Sequence, residues 1–398
     1  MSLDKHRIRN DLVSAADYIH LDNCGASLMP ACVLETQQAH LRLEAEVGGY
    51  EAERRCQDRI EAVYDSVARL VGCHRDEVAI VENASVGWMM VFYAFRFQPG
   101  DRILTAEAEY ASNYLAYLQV AQEQGVQVET IPSTPSGEVC VESLRAMIDD
   151  RVRLISITHV PTNGGLVNPV EAIGAVAREH GIFYLVDACQ SAGQIALDVD
   201  AIQCDALTAT GRKFVRGPRG VGFLYVRRSR LESLHPPMID LFSAQWLAPD
   251  RYELRADARR FENWENNYAA KLGLGTAIDY ALEIGLDAIE AEVVRLADRL
   301  RQQLASIPGV TVQDIGARKC GIVTFSVDGV EASTVQSRLS SQNIMTSVSS
   351  PASTLIDARR RQLPDLVRSA VHYFNTDEEL DRLVDCVASY SAAGTSDA

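Results

Sequence analysis

Along the first 230 or so residues of this 398-residue chain, short runs of consecutive apolar positions alternate with longer stretches whose apolar positions recur every three to four residues. RILTAEA, QVETIP, RLISITHV and FYLVDA read as strands, and a helical period runs from Ala31 to Leu70 with charge on one face. Such alternation predicts a mostly parallel sheet wrapped by helices, continuing to about Arg228. Pro236, Pro237 and Pro249 then punctuate an irregular stretch that lines the expected entrance to a site. A helical segment from Tyr268 to Ile307 leads to VTVQDI, GIVTFSV and NIMTSVS, three strands with a helix between them, and these read as a small α/β domain. A last helix from Asp377 to near Tyr390 precedes SAAGTSDA, read as a frayed tail. The expected organisation is an N-terminal arm over 1–17, a large domain over 18–260 and a small domain over 261–398, with no internal repeat or low-complexity segment.

The chemistry sits at the end of one predicted strand. Tyr184, Leu185 and Val186 close an apolar run, so Asp187 falls at the carboxyl end of a buried strand, where open α/β sheets bind ligands. A carboxylate there needs a cationic partner. A second short run, Ala206 to Thr210, delivers Thr210, Gly211, Arg212 and Lys213 to the same end, and Gly217, Pro218, Gly220 and Gly222 turn the chain into the strand GFLYVR. A lysine held among apolar strands gives up its proton more readily and can form a Schiff base with an aldehyde. An aspartate for a pyridinium nitrogen and a lysine for an imine are the protein's two levers on pyridoxal phosphate. Taken singly, Asp187 reads equally as a helix cap and Lys213 as a solvated loop lysine; together with TGRK and GPRGVG they read as a cofactor site.

VDACQSAG, followed by TGRKF and GPRGVGFLYV, resembles the class V aminotransferase family of fold-type I pyridoxal phosphate enzymes, a group that includes cysteine desulfurases, kynureninase and carbon-sulfur lyases. The resemblance runs from LDNCGAS to VRSAVHYFNTDEEL, most of the chain. It implies a large, mostly parallel sheet domain with a smaller C-terminal α/β domain. It further implies pyridoxal 5'-phosphate bound covalently at Lys213, Asp187 paired with the ring nitrogen, Gln190 and Thr162 near the ring hydroxyl, and Tyr110 on the face of the ring. The phosphate would meet Ala84, Ser85 and Val86 at the start of a helix, with Thr210 and Arg212 opposite; Asn83 or Ser85 reads equally as the cap of that helix. Arg368 would grip the α-carboxylate of an amino acid with its planar fork of donors, and the segment Asn23 to Ser27 would close over the same group, with Asn23 as a substrate contact. Where many relatives have a Gly-Thr pair reaching the partner subunit's phosphate, FENWENN places Trp264 and Glu265, so that contact must come from another group, such as Asn266 or Asn267, or be absent. The resemblance implies a homodimer.

For the reaction, the informative segment is MTSVSSPASTLIDARRRQLPDLV, ahead of Arg368. Desulfurases of this family carry sulfur on a cysteine there, and this segment has none. HVPTNGGLVNP, SVSSPAST and Trp264 resemble the branch that holds hercynylcysteine sulfoxide lyase-like and epimerase-like proteins. The expected activity is therefore carbon-sulfur β-elimination from a small α-amino acid. Transamination or epimerisation on the same scaffold is the alternative, ahead of desulfuration or a binding protein without catalysis. Cys24 and Cys189 fall near the site and read as small buried packing residues before nucleophiles.

Composition narrows the setting. A formal net charge of -16 argues against nucleic acid and anionic membranes as partners. With 47% apolar and 23% charged residues the chain can build a large core. No apolar run approaches the length of a membrane span, and no basic-then-apolar leader opens the sequence. Nine cysteines without close paired spacing suit a reducing compartment, hence a cytoplasmic location, and the eight histidines form no metal-ligand cluster, so no metal is expected.

Overall fold

The computed structural model describes residues 3–13 and 18–393. In chain order the strands are β1 (Ile19–His20), β2 (Val78–Val81), β3 (Arg102–Ala106), β4 (Gln127–Ile131), β5 (Val152–Thr158), β6 (Phe183–Asp187), β7 (Ala206–Thr210) and β8 (Gly222–Val226), then β9 (Ala244–Ala248), β10 (Arg251–Leu254), β11 (Val310–Val312), β12 (Ile322–Val327), β13 (Ile344–Met345), β14 (Ser347–Ser349) and β15 (Leu366–Ala370). Seven of them form one sheet in the order β2-β8-β7-β6-β5-β3-β4. From β4 to β7 every pairing is parallel, and β8 joins antiparallel to both β7 and β2. In β2, β3, β6, β7 and β8 every residue is buried, as continuous apolar strands covered by helices on both faces must be. The expected α/β architecture is thus present. The chain leaves β3 in one direction to reach β4 and returns on its other side to β5, and this reversal opens a crevice at the carboxyl ends of β3, β5 and β6.

Several elements differ from the sequence pattern for identifiable reasons. The helical period from Ala31 to Leu70 is three helices, Ala31–Val47, Gly49–Arg55 and Gln57–Val71, broken at Gly48 (φ 85°) and again at Cys56. The segment from Tyr268 is two helices, Tyr268–Ile284 and Leu286–Ala305, separated by Gly285 (φ 97°). The proline-marked stretch contains the hairpin β9–β10, with Pro249 and Asp250 at its turn. NIMTSVS splits at Thr346: β13 pairs with β1, while β14 enters a four-stranded antiparallel sheet ordered β11-β12-β15-β14. That sheet needs β15, which carries Arg368, as its fourth strand. The N-terminal arm contains the helix Lys5–Asn10, and the final helix runs to Ala393; the last five residues of SAAGTSDA lie outside the described residues.

Packing joins the two sheets at both ends of the chain. The helix Tyr268–Ile284 packs on Ala31–Val47 and Gln57–Val71, beside the seven-stranded sheet. Ile8, Leu12 and Ile19 lie in one apolar cluster with Phe325, Tyr373 and Phe374 of the C-terminal part. The Arg216 guanidinium, buried just after Lys213, donates to the Leu28 carbonyl (2.8 Å) and the Tyr373 hydroxyl (2.6 Å) and lies 4.7 Å from the Phe374 ring centroid. No helix among the described residues is long and apolar enough to cross a membrane.

One glycine holds the loops after β6 and β7 together. Gly193 has φ 92°, and a Cβ there would collide with the backbone of Phe214 and Val215, immediately after Lys213. Gly193→Ala is therefore expected to destabilise the protein by about 1–3 kcal/mol, read as a lower urea midpoint with an unchanged slope.

Candidate active site

A cavity of about 290 Å³ opens at the crevice, close to the lower end of the usual range of roughly 300–1,000 Å³ for small-molecule sites. Its wall takes in Ala84, Ser85, Tyr110, Thr162, Asp187, Gln190, Arg212 and Lys213, which are eight of the residues expected from the sequence. Each comes from the carboxyl end of a strand, the loop that follows it, or the first turn of the next helix. Asp187 ends β6, Arg212 and Lys213 follow β7, Tyr110 immediately precedes the helix Ala111–Gln124 after β3, and Ala84 and Ser85 open the helix Ala84–Phe92 after β2.

Asp187 is 6% exposed. Its Oδ1 accepts from the Cys189 amide (2.9 Å) and its Oδ2 from Asn113 Nδ2 (3.1 Å). Burial pushes its pKa above the ordinary carboxylate value, against the Cys189 amide, the Asn113 side chain and the positive charge of Lys213. A cation brought to its open side would relieve that cost. The Lys213 Nζ lies 3.6 Å from the Cys189 sulfur. Burial pushes the thiols of Cys189 and Cys24 up, Cys24 to about 11, so both are neutral at pH 7 and neither is an activated nucleophile.

In the same cavity wall, Asn83 caps the helix Ala84–Phe92. Its Oδ1 takes the Val86 amide at 3.0 Å, so Val86, expected to face an anion, is committed to the cap. The Ala84 and Ser85 amides are the first two of the helix and have no carbonyl of their own helix to bond, which leaves donors and the positive helix end toward the cavity. Arg212 and Arg219 add positive charge to the same wall. Thr210 is not in the wall: it is buried, and its hydroxyl accepts from Arg212 Nη1 at 3.0 Å, orienting that guanidinium instead.

Thr162 links the cavity to Arg368. Arg368 sits on β15 opposite Thr324 and Ser347, and its Nη1 donates to the Thr162 hydroxyl (2.8 Å) and carbonyl (3.1 Å). Its Nε donates to Ser347 Oγ (3.1 Å), and Nη2 stands 3.9 Å from Asp22 Oδ1. Gln190 donates to the Cys24 carbonyl (3.2 Å) and Thr162 Oγ1 (3.4 Å), while its buried Oε1 has no partner. Asn23 does not reach the cavity. It is fully buried, its Nδ2 donates to the Ala370 carbonyl (2.6 Å), and its Oδ1 accepts from Ser27, so it pins the segment 22–27 onto β15 beside Arg368.

Other wall residues were not singled out from the sequence as cofactor contacts: Glu82, Thr158, Val160, Cys189, Arg219 and Gly220. Arg219 was readable, since it sits in the GPRGVG turn beside the charged TGRK stretch; Thr158 and Val160 look like ordinary strand-end residues. Trp264 is exposed, and Glu265, Asn266 and Asn267 line a second cavity that meets the first at Glu82 and Gly220. Asn267 caps the helix Tyr268–Ile284 through Ala270.

Known proteins share this architecture. A "Probable cysteine desulfurase" of Methanothermobacter thermautotrophicus is 27% identical over 394 residues, 97% of this chain and 98% of that protein. The apo structure of a cysteine desulfurase from Thermococcus onnurineus NA1 superposes with a TM-score of 0.90 at 25% identity, covering 99% of both chains. The cystine C-S lyase C-DES, solved with its reaction product cysteine persulfide, has the same fold, with a TM-score of 0.85 at 24% identity over 94% of this chain and 98% of that one. The sequence profile of the Aminotransferase class-V family matches residues 19–383, and the chain belongs to that family.

Proposed function

We propose that this protein is a pyridoxal-phosphate-dependent enzyme that breaks a carbon–sulfur bond in a small α-amino acid by β-elimination. The cavity fits the cofactor on its own evidence: a buried carboxylate in need of a cation, a buried Gln190 Oε1 without a partner, and two free helix amides flanked by arginines. Lys213 would hold the cofactor through its amine, Asp187 would meet the ring nitrogen, Gln190 and Thr162 the ring hydroxyl, and Tyr110 the ring face. Ala84, Ser85 and Arg212 would take the phosphate. When bound, the cofactor supplies an electron sink for charge that develops at the substrate Cα.

The chain's own groups do the rest. Arg368 binds the substrate carboxylate, with the Thr162 hydroxyl and Ser347 fixing the plane of its fork. The Lys213 amine, when not engaged with the cofactor, would take the proton from the substrate Cα. The Cβ–S bond then breaks, sulfur leaves with the bonding pair, and water converts the released product to pyruvate and ammonia. Replacing Arg368 with lysine keeps the charge but loses the fork. It is expected to raise KM for the amino acid roughly 10- to 100-fold with a smaller change in kcat, as measured by initial rates.

One observation supports elimination over desulfuration: between Thr346 and Leu363, the segment leading to Arg368, there is no cysteine to receive sulfur. Desulfuration is the second reading, favoured by the names of the relatives and by Cys189, which lines the cavity 3.6 Å from Lys213 Nζ. Product analysis with cysteine and cystine separates them. Pyruvate and ammonia in equal amounts support the lyase, alanine with sulfur retained on the protein supports the desulfurase, and stoichiometric amino transfer to an oxo acid would sink both.

A homodimer is part of the same proposal. Met238, Leu241, Trp246, Tyr252 and Trp264 are all more than half exposed, an apolar display on and around the β9–β10 hairpin that a second copy would cover. Trp246→Glu is expected to lower the sedimentation coefficient to that of a 43.7 kDa monomer. A wild-type protein already monomeric at micromolar concentration would contradict the dimer.

A further inference from the structure

One buried acid just past the end of β3 has no part in the chemistry described so far. Glu109, between β3 and Tyr110, is 3% exposed and accepts from five donors. Its Oε1 takes the Tyr110 amide (2.9 Å), Asn113 Nδ2 (2.9 Å) and the Thr158 hydroxyl; its Oε2 takes the Thr105 hydroxyl (2.9 Å) and the Thr158 amide (3.2 Å). A protonated carboxyl would need an acceptor for its hydrogen, and none of these contacts provides one except by turning a hydroxyl around, so the set suits a carboxylate. Burial, and after it the nearby Asp187 carboxylate, hold its pKa above the ordinary carboxylate value, against the hydrogen bonds from Thr158, Asn113 and Thr105.

Asn113 makes the connection. Its single NH2 group donates both to Glu109 and to Asp187 (3.1 Å), so one neutral amide bridges two buried carboxylates. Two like charges in the same part of the core cost stability unless a cation joins them. Stability alone gives no reason for the pair, whereas a cationic ring does.

We propose that Glu109 is a positioning residue for the cofactor: through Asn113 it holds the Asp187 carboxylate in the orientation that receives the ring nitrogen, and through the Tyr110 amide it sets the aromatic that faces the ring. Its charge also favours the protonated ring. The inference rests on the cofactor assignment and is independent of which bond the enzyme breaks. Besides Asp187, the titratable groups facing the pair are Tyr117, Cys189 and Lys213; burial raises the first two, so they stay neutral through pH 8.

The test uses full-length protein reconstituted with pyridoxal phosphate labelled with nitrogen-15 in the ring, comparing wild type, Glu109→Gln, Glu109→Asp and Asn113→Ala. Two quantities are read: the cofactor dissociation constant and the ring-nitrogen chemical shift against pH. Glu109→Gln and Asn113→Ala are each expected to weaken cofactor binding tenfold or more and to release the ring proton at least one pH unit lower than wild type. Glu109→Asp, which keeps the charge, should fall between. Wild-type affinity and an unmoved profile in both variants would overturn the proposal. A shift in Glu109→Gln without one in Asn113→Ala would also overturn it, because the amide bridge would then carry nothing. Should Glu109→Gln fail to fold, Glu109→Asp decides: wild-type affinity and an unmoved profile in that variant would overturn the proposal. A wild-type protein that takes up no cofactor would instead refute the cofactor assignment itself.

Discussion

Replacing Lys213 with alanine is expected to remove both the visible absorption of the reconstituted protein that depends on covalent attachment and nearly all turnover, a loss of about 10⁴-fold or more. The size follows from two duties resting on one amine. Lys213 would anchor the cofactor and then take the Cα proton, and a residue with both duties leaves no partial route when removed. Among the described residues, no other lysine lines the cavity. Lys271, buried in the helix Tyr268–Ile284, is engaged by the Tyr64 hydroxyl at 2.6 Å and by Glu262 at 3.4 Å. The variant should still fold, because Lys213 is partly exposed and its amine makes only a long, 3.6 Å approach to the Cys189 sulfur. Far-ultraviolet circular dichroism and an unchanged unfolding midpoint would establish that. Retention of wild-type colour and rate would remove the basis of the proposed chemistry.

Asp187→Asn should produce the second-largest effect with a different signature. The cofactor would remain attached to Lys213, but its ring nitrogen would lose the carboxylate that keeps it protonated, and the electron sink would weaken. A fall in kcat of about 10³-fold, equivalent to about 4 kcal/mol of transition-state stabilisation, is expected. Because the Asp187 pKa is already raised by burial, the change removes an expensive charge as well as a useful one, so the loss of rate should far exceed any loss of stability. Stopped-flow turnover together with mass analysis after borohydride reduction separates this from Lys213→Ala: in Asp187→Asn the cofactor label should still be found on Lys213. A rate within tenfold of wild type would mean that the carboxylate does not serve the ring.

Much of the site was legible because buried parallel strands announce themselves as unbroken apolar runs, and ligands gather where such runs end. That logic placed Asp187 at the end of β6 and Arg212 and Lys213 after β7, while the family resemblance pointed to Gln190, Ser85 and Tyr110; all six lie on one cavity wall. The pattern could not say which hydrogen bond each polar group would choose. Val86 went to the Asn83 cap and Thr210 to Arg212, both local alternatives, and Asn23 to the Ala370 carbonyl, a partner 347 residues away that no local pattern announces. Breaks at Gly48 and Gly285 were hidden because a glycine within a helical period signals a stop only when the backbone takes positive φ, which depends on what the next helix packs against. Glu109 and Asn113 were hidden for another reason. Four residues apart at the start of a helix, they look like an exposed polar pair until β5 and β6 are laid beside them. Arg368 was visible only through the family resemblance, since its strand is short and its partners, Thr162 and Ser347, come from distant segments.

The most direct measurement is to load the purified protein with pyridoxal phosphate, reduce it with borohydride, digest it and map the modified peptide by mass spectrometry. The account predicts a single pyridoxyl phosphate adduct on Lys213, within the peptide between Arg212 and Arg216, and loss of the visible band on reduction. A label on any other lysine, or no label at all in a folded protein, would contradict it.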